Sequence, residues 1–452
     1  MPLWQFCRIA PVSARRESFF DAWESASEAT RRRVIRERLG EYIGYARRRV
    51  PFYRDRLSGF KPRSEHPLAG VPVLKSDDLR PLLPPKSERL VADREAGRTV
   101  FQSGGTTGLP KTTLFSHSEM ETLYLPNARG YHAVGLRQSD RVANLFAVGQ
   151  LYMSFLHVHR ALEAFGCTNF PFSNHTPPEF LRTCARLFHI NCITGVASVA
   201  LNCLREMEKL GLKGVRIEKL YYSAEHLYDA DKAELRERFG VRQVATHGYG
   251  TVDTWYLGYQ CAACPTGVFH THDDQVFLEV WDEEAGRPCA IGQAGMLYAT
   301  VWSRRLTPLV RYRVGDRARW LGSRCPCGRT TPLFELLGRG DDILRIGFDS
   351  IDYRYIQECV SRVKGLSGTV QMQKQREAGR DRLVVRVETC VPAQARPARA
   401  SALVREILSR RPTLDKSVAQ NTIWPLRVEL LDEGRLPRNP RTGKLIRVID
   451  DR

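Results

Sequence analysis

The sequence SGGTTGLPK, from Ser103 to Lys111, is the strongest local signal in the chain. Its glycines let the backbone approach a ligand closely, while its hydroxyl groups and its lysine can bind oxyanions. It differs from the GxxxxGK[ST] loop, in which a glycine stands directly before the lysine, since Pro110 precedes Lys111. The segment predicts a flexible loop around nucleotide phosphates, and the alternative is an ordinary Gly/Thr surface turn. The predicted phosphate-binding residues are Ser103, Gly104, Gly105, Thr106, Thr107, Gly108 and Lys111.

Short apolar runs alternate with helical patterns on the C-terminal side of this segment. RVANLFAV (141–148), NCITGVAS (191–198) and KLYYSAE (219–225) are typical of buried strands. LNCLREMEKLG (201–211) and DADKAELRERFG (229–240) have the spacing of the helices beside them. This alternation predicts an α/β fold with a mainly parallel sheet that is covered on both faces.

The segments on either side of this region differ from it. Residues 1–100 are expected to be mostly helical, and RRRVIRERLGEYIGYARRRV (31–50) predicts a helix that ends before Pro51. Residues 101–117 are rich in small and hydroxyl side chains and are expected to form a loop.

The second half of the chain changes pattern twice. VFLEVWD (276–282) and GMLYATVW (295–302) alternate as strands do, which predicts a smaller antiparallel β unit. Beyond GRGDD (338–342), helical and strand patterns restart and predict a small α+β domain. We therefore expect a large N-terminal domain over residues 1–337 and a small C-terminal domain over residues 338–452.

Composition limits the kind of protein without identifying it. The chain of 452 residues has 42% hydrophobic and 26% charged residues, the balance of a folded protein. Its formal charge of +19, with 69 Lys and Arg against 50 Asp and Glu, suits polyanionic partners or reflects a general bias towards Arg. No apolar stretch approaches the roughly 18 residues that span a bilayer, and twelve cysteines are typical of reduced thiols. We expect a cytoplasmic protein with no membrane partner.

Further polar segments follow the first one in a fixed order. They are Ser223-Ala224-Glu225 at a strand end, Tyr249-Gly250-Thr251-Val252-Asp253, RYRVGD (311–316), GRGDD (338–342) and RTGK (441–444). Together with SGGTTGLPK, this set resembles the adenylate-forming enzymes, and VPFYRDRL (50–57) and VPVLKSDDL (71–79) are similar to the opening of the phenylacetate–CoA ligase branch. The resemblance covers almost the whole chain.

The resemblance implies a role for each matched position. Ser223, Ala224 and Glu225 would lie on the adenine side, and Asp316 would bind the ribose hydroxyls. Tyr249, Gly250, Thr251 and Arg339 would also contact the nucleotide, and Asp341 would be the hinge between the domains. Lys444 would be the catalytic lysine on a mobile small domain. The implied reaction joins a carboxylic acid, aryl or arylacetic, to AMP from ATP and then transfers the acyl group to coenzyme A.

The residue types suit that chemistry. Joining a carboxylate to the α-phosphate of ATP brings two anions together, so positive charge must neutralise them. Lys111 would hold the departing phosphates, and Lys444 would reach the oxygens where charge develops. Asp253 would hold Mg²⁺, which prefers hard oxygen ligands.

Two close cysteine pairs form a second constellation. Cys261 and Cys264 are separated by two residues, and Cys325 and Cys327 by one. Two such pairs can close a tetrahedral site, for which Zn²⁺ is the usual occupant, and free thiols in tight turns are the alternative. Relatives in the branch often use a histidine here, so His270 competes for one position. A closed site would be structural.

Other histidines are also near the predicted site. His247 precedes the Tyr249 motif, and His157 and His159 lie in LYMSFLHVH, where the family builds its acid pocket. For each of them, a structural histidine is as good an interpretation as a functional one.

The chain departs from the family pattern in three places. Val252 replaces a threonine, with Asp253 replacing the following glutamate; Gly104 replaces a serine; and Gly347 comes one residue early in the segment that lines the thiol tunnel. The last change leaves open an acceptor other than CoA, namely a carrier protein or an amine. A remote alternative is a non-catalytic nucleotide- or nucleic-acid-binding protein, although we expect no nucleic acid partner. The family suggests a homodimer.

Overall fold

The structure is a computed structural model. It describes residues 19–60, 66–102, 111–149, 151–224, 227, 229–340, 342–346, 349–366, 368–377, 380–419, 421, 423–438 and 445–450. The chain divides into two compact units, of which the larger runs to Leu337 and the smaller is formed mainly by residues 338–452. In the ranges given above, no helix combines the length and the apolar character that crossing a bilayer requires.

The N-terminal region is helical, as its sequence predicts. After a 3₁₀ turn (Ala22–Ser25) come three helices: α1 (Glu28–Arg49), α2 (Pro51–Arg56) and α3 (Ser76–Leu82). Ser27 caps α1 by accepting a hydrogen bond from the backbone N–H of Thr30. Two buried tyrosines fix the region to the rest of the unit, since Tyr42 donates to the carbonyl of Arg304 and Tyr53 to that of Pro308.

The two strands of a β-hairpin precede and follow the predicted phosphate loop. Strands β1 (Arg98–Gln102) and β2 (Thr112–Ser116) pair antiparallel, with Gln102 opposite Thr112. The expected loop over residues 101–117 is therefore wrong at both ends. Buried Phe101 and Phe115 explain the difference, because their rings pack edge to face at 5.8 Å and hold the two strands to one core.

The predicted parallel sheet is confirmed. Its order is β4-β3-β5-β6-β7, and every neighbouring pair is parallel. Its strands are β3 (Arg141–Asn144), β4 (Thr168–Phe170), β5 (Cys192–Val196), β6 (Lys219–Ser223) and β7 (Gln243–Thr246). The helices of this region are α4 (His117–Met120), α5 (Tyr124–Ala133), α6 (Ser154–Phe165), α7 (Pro178–Leu187), α8 (Ala197–Lys209) and α9 (Asp229–Glu237).

The antiparallel unit has eight strands among the described residues, more than its two recognisable segments indicate. The sheet order is β12-β11-β13-β14-β15-β10-β9-β8. Its strands are β8 (Tyr249–Thr251), β9 (Trp255–Tyr259), β10 (Val268–Thr271), β11 (Val276–Asp282), β12 (Arg287–Pro288), β13 (Ala294–Val301), β14 (Leu309–Gly322) and β15 (Leu333–Arg339). Because β8 follows β7 almost directly, this sheet begins at the carboxyl edge of the parallel sheet.

The smaller unit is the predicted α+β assembly. A hairpin of β16 and β17 precedes a sheet of order β20-β19-β18-β21, in which β18 and β19 are antiparallel and the outer pairs are parallel. The strands are β16 (Ile343–Ile346), β17 (Asp349–Asp352), β18 (Val370–Glu377), β19 (Arg380–Glu388), β20 (Arg427–Leu431) and β21 (Val448–Asp450). The helices are α10 (Tyr353–Arg362), α11 (Arg396–Ser409) and α12 (Pro412–Ala419), with a 3₁₀ turn at Ala393–Ala395.

Candidate active site

The carboxyl edge of the parallel sheet places several predicted residues in one region. Strand β6 ends at Ser223, and the chain after β7 leads directly into Tyr249 on β8. Ligands of parallel α/β sheets bind at this edge, where the strands end and loops diverge. Ser223 and Tyr249 therefore lie where such a sheet offers a binding site.

Lys111 and Asp253 form an ion pair, although 142 positions separate them. The Lys111 Nζ atom lies 2.5 Å from Asp253 Oδ2. The Tyr312 hydroxyl donates to the same carboxylate oxygen at 2.8 Å and lies 3.2 Å from Lys111 Nζ. Asp253 is 3% exposed, so this cation–carboxylate–phenol group is shielded from water. Such shielding strengthens its electrostatic interactions.

Buried Arg304 fixes the backbone that carries Asp253. Its Nε donates to the carbonyl oxygen of Asp253 at 3.1 Å, and its Nη2 donates to the hydroxyls of Thr113 and Thr307 at 3.0 and 2.6 Å. The guanidinium also lies over the Phe115 ring, 3.5 Å from its centroid. Because Thr113 and Phe115 belong to β2, Arg304 connects the hairpin around residues 103–110 to the backbone of Asp253.

Tyr249 and Asp316 form a second pair in the same unit. The Tyr249 hydroxyl donates to Asp316 Oδ2 at 2.5 Å, and Asp316 is 7% exposed. The Tyr249 ring packs against Phe269 and Phe334, with centroids 5.6 and 5.9 Å away. The aromatic contacts hold the tyrosine, and the tyrosine orients the carboxylate that is predicted to bind ribose.

Gly250 is required by a close approach of two strands. A Cβ atom at this position would lie 2.2 Å from the carbonyl oxygen of Trp255, which is backbone and cannot move aside as a side chain can. The neighbouring Thr251 hydroxyl lies 3.0 Å from that of Thr254 and accepts its backbone N–H at 3.2 Å. Thr251 and Gly250 thus shape the turn that presents Asp253.

The departure at Val252 has a packing reason. Its side chain contacts an apolar cluster that contains Phe101, Phe115 and Trp255. A threonine hydroxyl in these surroundings would need a partner, whereas valine fills a similar volume without one. The apolar residue is therefore suited to its position between the hairpin and β9.

The predicted adenine-side segment is described up to Ala224. Ala224 has a positive φ of 71°, a backbone conformation that non-glycine residues seldom adopt. The preceding Ser223 side chain hydrogen-bonds the Tyr256 hydroxyl. The third residue, Glu225, lies outside the described residues.

His247 is buried beside this segment, and His159 is not. The His247 Nε2 atom lies 2.9 Å from the Tyr256 hydroxyl, and burial lowers the pKa of the imidazole to about 3. His159 instead contacts Asn169 and Glu163 with its two ring nitrogens, at 2.7 and 3.2 Å. His247 and His159 therefore differ in burial and in contacts, although the sequence predicts the same role for both.

The predicted metal ligands converge on one point. Cys261 Sγ lies 3.4 Å from Cys264 Sγ and 3.7 Å from Cys325 Sγ. Ligand atoms of these three cysteines and His270 lie within 4.8 Å of one another. Zn–S bonds of about 2.3 Å in a tetrahedron place sulfur atoms about 3.8 Å apart, so this donor set and its spacing fit zinc.

Cys327 joins this group as a fifth candidate. Its Sγ lies 3.4 Å from His270 Nε2, and the backbone N–H of Arg329 donates to it. The other ring nitrogen of His270 lies 3.0 Å from the Thr331 hydroxyl. A metal-binding histidine is commonly held by such a bond at its second nitrogen, which leaves Nε2 for the metal. The geometry therefore favours His270 as a ligand beside three of the four cysteines.

Comparisons with known proteins come from sequence and from structure. No protein-family model matches the chain. The phenylacetate–coenzyme A ligase of Thermus thermophilus is 27% identical over 434 residues, covering 93% of this chain and 96% of the relative. The Aromatoleum evansii enzyme of the same name is 25% identical over 441 residues, with 95% and 98% covered. The indoleacetate–lysine synthetase of Pseudomonas savastanoi is 25% identical and covers 58% of this chain and 61% of the relative.

Among solved structures, 2-hydroxyisobutyryl-CoA ligase in the postadenylation state with 2-HIB-AMP superposes with a TM-score of 0.76 at 25% identity. The match covers 97% of this chain and 93% of that one. The chain is similar in sequence to phenylacetate–coenzyme A ligases and in fold to an adenylate-forming CoA ligase. The adenylate-forming fold predicted from the motif order is thereby confirmed.

Several predicted site residues of this ligase-like chain lie outside the described residues. They are Ser103, Gly104, Gly105, Thr106, Thr107, Gly108, Glu225, the hinge Asp341 and the catalytic Lys444, and Gly347 lies outside them too. Arg339 is part of the backbone of β15. The roles assigned to all of them stay predictions.

Sequence reasoning missed two members of the site. Tyr312 lies inside the RYRVGD segment, in which the resemblance implies a role for Asp316 alone. Its alternation with Arg313 along β14 is the available signal, since neighbouring strand residues point to opposite faces. Arg304 gave no motif, and its role depends on contacts with residues about 190 positions away.

Proposed function

We propose that this protein uses ATP to convert a carboxylic acid into an acyl-adenylate and then transfers the acyl group to coenzyme A. The observation that supports it best is the shielded group of Lys111, Asp253 and Tyr312. It lies in the same unit as the Tyr249–Asp316 pair. Cation and carboxylate are the groups needed to neutralise and orient a nucleotide triphosphate.

The described residues divide the work of binding. Lys111 would hold the β- and γ-phosphates and stabilise pyrophosphate as it leaves, while Tyr312 keeps the Asp253 carboxylate in place. Asp316 would accept hydrogen bonds from the ribose hydroxyls, with its orientation set by Tyr249. Residues that are pre-positioned in this way lower the entropy cost of aligning acid and nucleotide.

Asp253 also suits Mg²⁺. Its Oδ2 atom contacts Lys111 and Tyr312, whereas its buried Oδ1 has no hydrogen-bond partner among the described residues. A buried carboxylate oxygen of this kind is a ligand that Mg²⁺ prefers. A bound Mg²⁺ would neutralise phosphate charge.

We propose that the two units work as a large domain over residues 1–337 and a mobile small domain over residues 338–452. Lys444 on the small domain would stabilise the charge that develops at the α-phosphate. Rotation about Asp341 would then remove Lys444 and admit the thiol acceptor, as hinges at the ends of elements allow.

An aryl or arylacetic acid is the proposed substrate, and CoA is the proposed acceptor. The relatives named phenylacetate–coenzyme A ligase support both. The alternative is transfer to an amine or to a carrier protein. It is favoured by the similarity to an indoleacetate–lysine synthetase. The early Gly347 in the segment after residue 342 also favours it.

The decisive experiment measures pyrophosphate release with ATP and Mg²⁺ against a panel of aryl, arylacetic and aliphatic acids, each with and without CoA. We expect release with at least one aryl or arylacetic acid, and a thioester when CoA is present. Release that is independent of CoA, with acyl transfer to hydroxylamine, would favour the alternative. No release with any acid would refute adenylation.

We further propose that Cys261, Cys264, Cys325 or Cys327, and His270 hold a structural Zn²⁺. Each ligand would be supplied by the protein, so the ion would have no open position for catalysis. Thiolate ligands and the other free cysteines suit a reducing, cytoplasmic setting. A homodimer is also proposed, and sedimentation of the purified protein would test it.

A further inference from the structure

The segment before α1 lies against the loop that carries two of the candidate metal ligands. We call residues 19–27 the strap and residues 325–331, between β14 and β15, the metal loop. The metal loop contains Cys325 and Cys327. Both segments belong to the larger unit, so their contacts lie within one compact body.

A buried ion pair joins the strap to the metal loop. The Arg329 Nε atom lies 2.5 Å from Glu24 Oε1, and the two side chains are 5% and 0% exposed. The second carboxylate oxygen of Glu24 accepts the backbone N–H of Phe20 at 2.5 Å. A buried charge that loses its partner is strongly destabilised. The ion pair therefore favours a strap that stays docked on the metal loop.

The same arginine contacts a candidate ligand. The backbone N–H of Arg329 donates to Cys327 Sγ at 3.4 Å, and its side chain also hydrogen-bonds that sulfur. Bonds donated to a thiolate stabilise its charge, and groups that bond a metal ligand orient it for the metal. Arg329 thus connects the Glu24 carboxylate to the Cys327 sulfur through one side chain.

Thr330 adds a second connection beside the first. Its backbone N–H donates to the Glu24 carbonyl at 2.9 Å, and its hydroxyl donates to the Ala26 carbonyl at 2.7 Å. The same hydroxyl accepts a hydrogen bond from Arg31, in the first turns of α1, at 2.5 Å. One threonine of the metal loop is therefore bonded to the strap on both its backbone and its side chain.

The strap also reaches the segment that carries His270. The Trp23 indole N–H donates to Asp273 Oδ1 at 2.7 Å, on the chain just after β10. His270 Nδ1 itself lies 3.0 Å from the hydroxyl of Thr331, at the end of the metal loop. The strap thus contacts both of the chain segments that place a candidate ligand beside Cys327.

Polar contacts dominate the way in which the metal loop is held. Apart from Pro326, its apolar side chains are those of its two cysteines, which pack with Cys261 and Cys264. Its remaining residues are a glycine, an arginine and two threonines. Bonds to a metal on one side and to the strap on the other would therefore fix one conformation of this loop together.

We propose that the strap is a latch for the metal centre, such that docking of the strap tightens zinc binding and zinc binding keeps the strap docked. Two binding equilibria that are coupled in this way change each other by the same factor. The inference rests on the proposed zinc site and adds to it a segment that contains none of its ligands. Loss of zinc would release the strap.

The first test measures zinc affinity of the full chain by competition with a chromophoric chelator. Glu24→Gln removes the buried charge and keeps the side-chain size, and Thr330→Val removes the bridging hydroxyl. We expect each to weaken zinc binding about 10- to 100-fold, the usual effect of losing a group that orients a metal ligand. Glu28→Gln is the matched control, since Glu28 pairs with Arg32 on the exposed face of α1.

A second control separates coupling from a general loss of stability. Leu204→Ala removes apolar packing beside the parallel sheet and should lower the melting temperature without changing zinc affinity of the folded chain. Zinc affinity within twofold of wild type in both strap variants, or lowered no more than by Leu204→Ala, would overturn the inference and leave the zinc site standing. A wild type that binds no zinc would overturn both.

The reciprocal test needs no substitution. Hydrogen exchange is compared in the wild-type chain with zinc and after zinc is removed by a chelator. We expect peptides covering residues 19–27 to exchange roughly 10- to 100-fold faster without zinc, while peptides covering β5 and β6 keep their rates. Equal rates in the strap would overturn the inference. Neither test uses adenylation, which pyrophosphate release decides separately.

Discussion

Tyr312→Phe isolates one hydroxyl group at the proposed active site. This hydroxyl donates to Asp253 Oδ2 at 2.8 Å and lies 3.2 Å from Lys111 Nζ. The Tyr312 ring is 1% exposed and belongs to the main apolar core, so phenylalanine should keep the fold. After the change, the buried Asp253 carboxylate would depend on Lys111 alone for its side-chain contacts among the described residues.

The size of the effect follows from the charge on the partner. A hydrogen bond to a charged group contributes about 1.5–3 kcal/mol. If that amount is lost from the transition state, kcat/KM for adenylation falls roughly 10- to 150-fold. Because Asp253 is also the proposed Mg²⁺ ligand, we expect the Mg²⁺ concentration needed for half-maximal rate to rise as well.

The assay is pyrophosphate release as a function of Mg²⁺, with melting temperature measured in parallel. Tyr298→Phe is the matched control, since Tyr298 is 2% exposed and donates to the Glu283 carboxylate at 2.5 Å, away from the proposed site. A Tyr312→Phe rate within twofold of wild type, or a loss equal to that of the control, would refute the reasoning.

Other predictions concern the small domain, the metal and pH. Lys444→Ala should nearly abolish pyrophosphate release and leave ATP binding and thioester formation from supplied acyl-AMP largely intact; wild-type release would contradict it. Cys325→Ser with Cys327→Ser should lose about one zinc per chain and lower the melting temperature; a wild type without zinc would rule this out. Burial raises the pKa of the Glu279 carboxyl from 4.5 to about 7 in the folded state. Its deprotonation between pH 5 and pH 8 therefore lowers the free energy of unfolding. Glu279→Gln should therefore gain about 2.5 kcal/mol relative to wild type from pH 5 to pH 8. The half-exposed Glu283, whose pKa is lowered by Arg313, should show no such gain as Glu283→Gln.

The parallel sheet could be predicted because its evidence is local. Each strand is a short apolar run, and the helices beside it have their own periodicity, so no distant contact is needed to recognise them. The helix over residues 31–50 is a similar case, since Pro51 marks its end within the same segment. These elements have the bounds in the structure that the sequence indicates to within a few residues.

The hairpin could not be predicted because its evidence is not local. Thr112–Ser116 is rich in hydroxyl residues and reads as part of a loop. It is a strand because Arg304 donates to Thr113 and lies over Phe115, and these contacts join residues about 190 positions apart. A single sequence gives no sign of such a partner.

In the candidate site, too, some residues have local evidence in the sequence and others do not. Motif order identified Lys111, Asp253 and Asp316, since each belongs to a recognisable segment. It did not show that Lys111 and Tyr312 contact the same carboxylate oxygen of Asp253. These side chains meet only after the hairpin, the turn after β8 and strand β14 have packed together. Likewise, the cysteine spacing indicated a metal site, but only the structure places His270 Nε2 beside it.

Val252 lacks the hydroxyl of the threonine that it replaces, whereas Asp253 keeps the carboxylate of the glutamate that it replaces. The energies of these two groups can be compared. Loss of a neutral threonine hydroxyl forfeits about 1 kcal/mol of hydrogen bonding, or roughly a fivefold change in rate. Loss of the neighbouring carboxylate would remove a charged group that contacts Lys111, and a bond to a charged group contributes about 1.5–3 kcal/mol. The shorter Asp253 still reaches both Lys111 and Tyr312. The chain thus gives up the weaker interaction, gains apolar packing at Val252, and keeps the charged groups on which the proposed adenylation would depend. This combination argues against a protein that has lost catalysis.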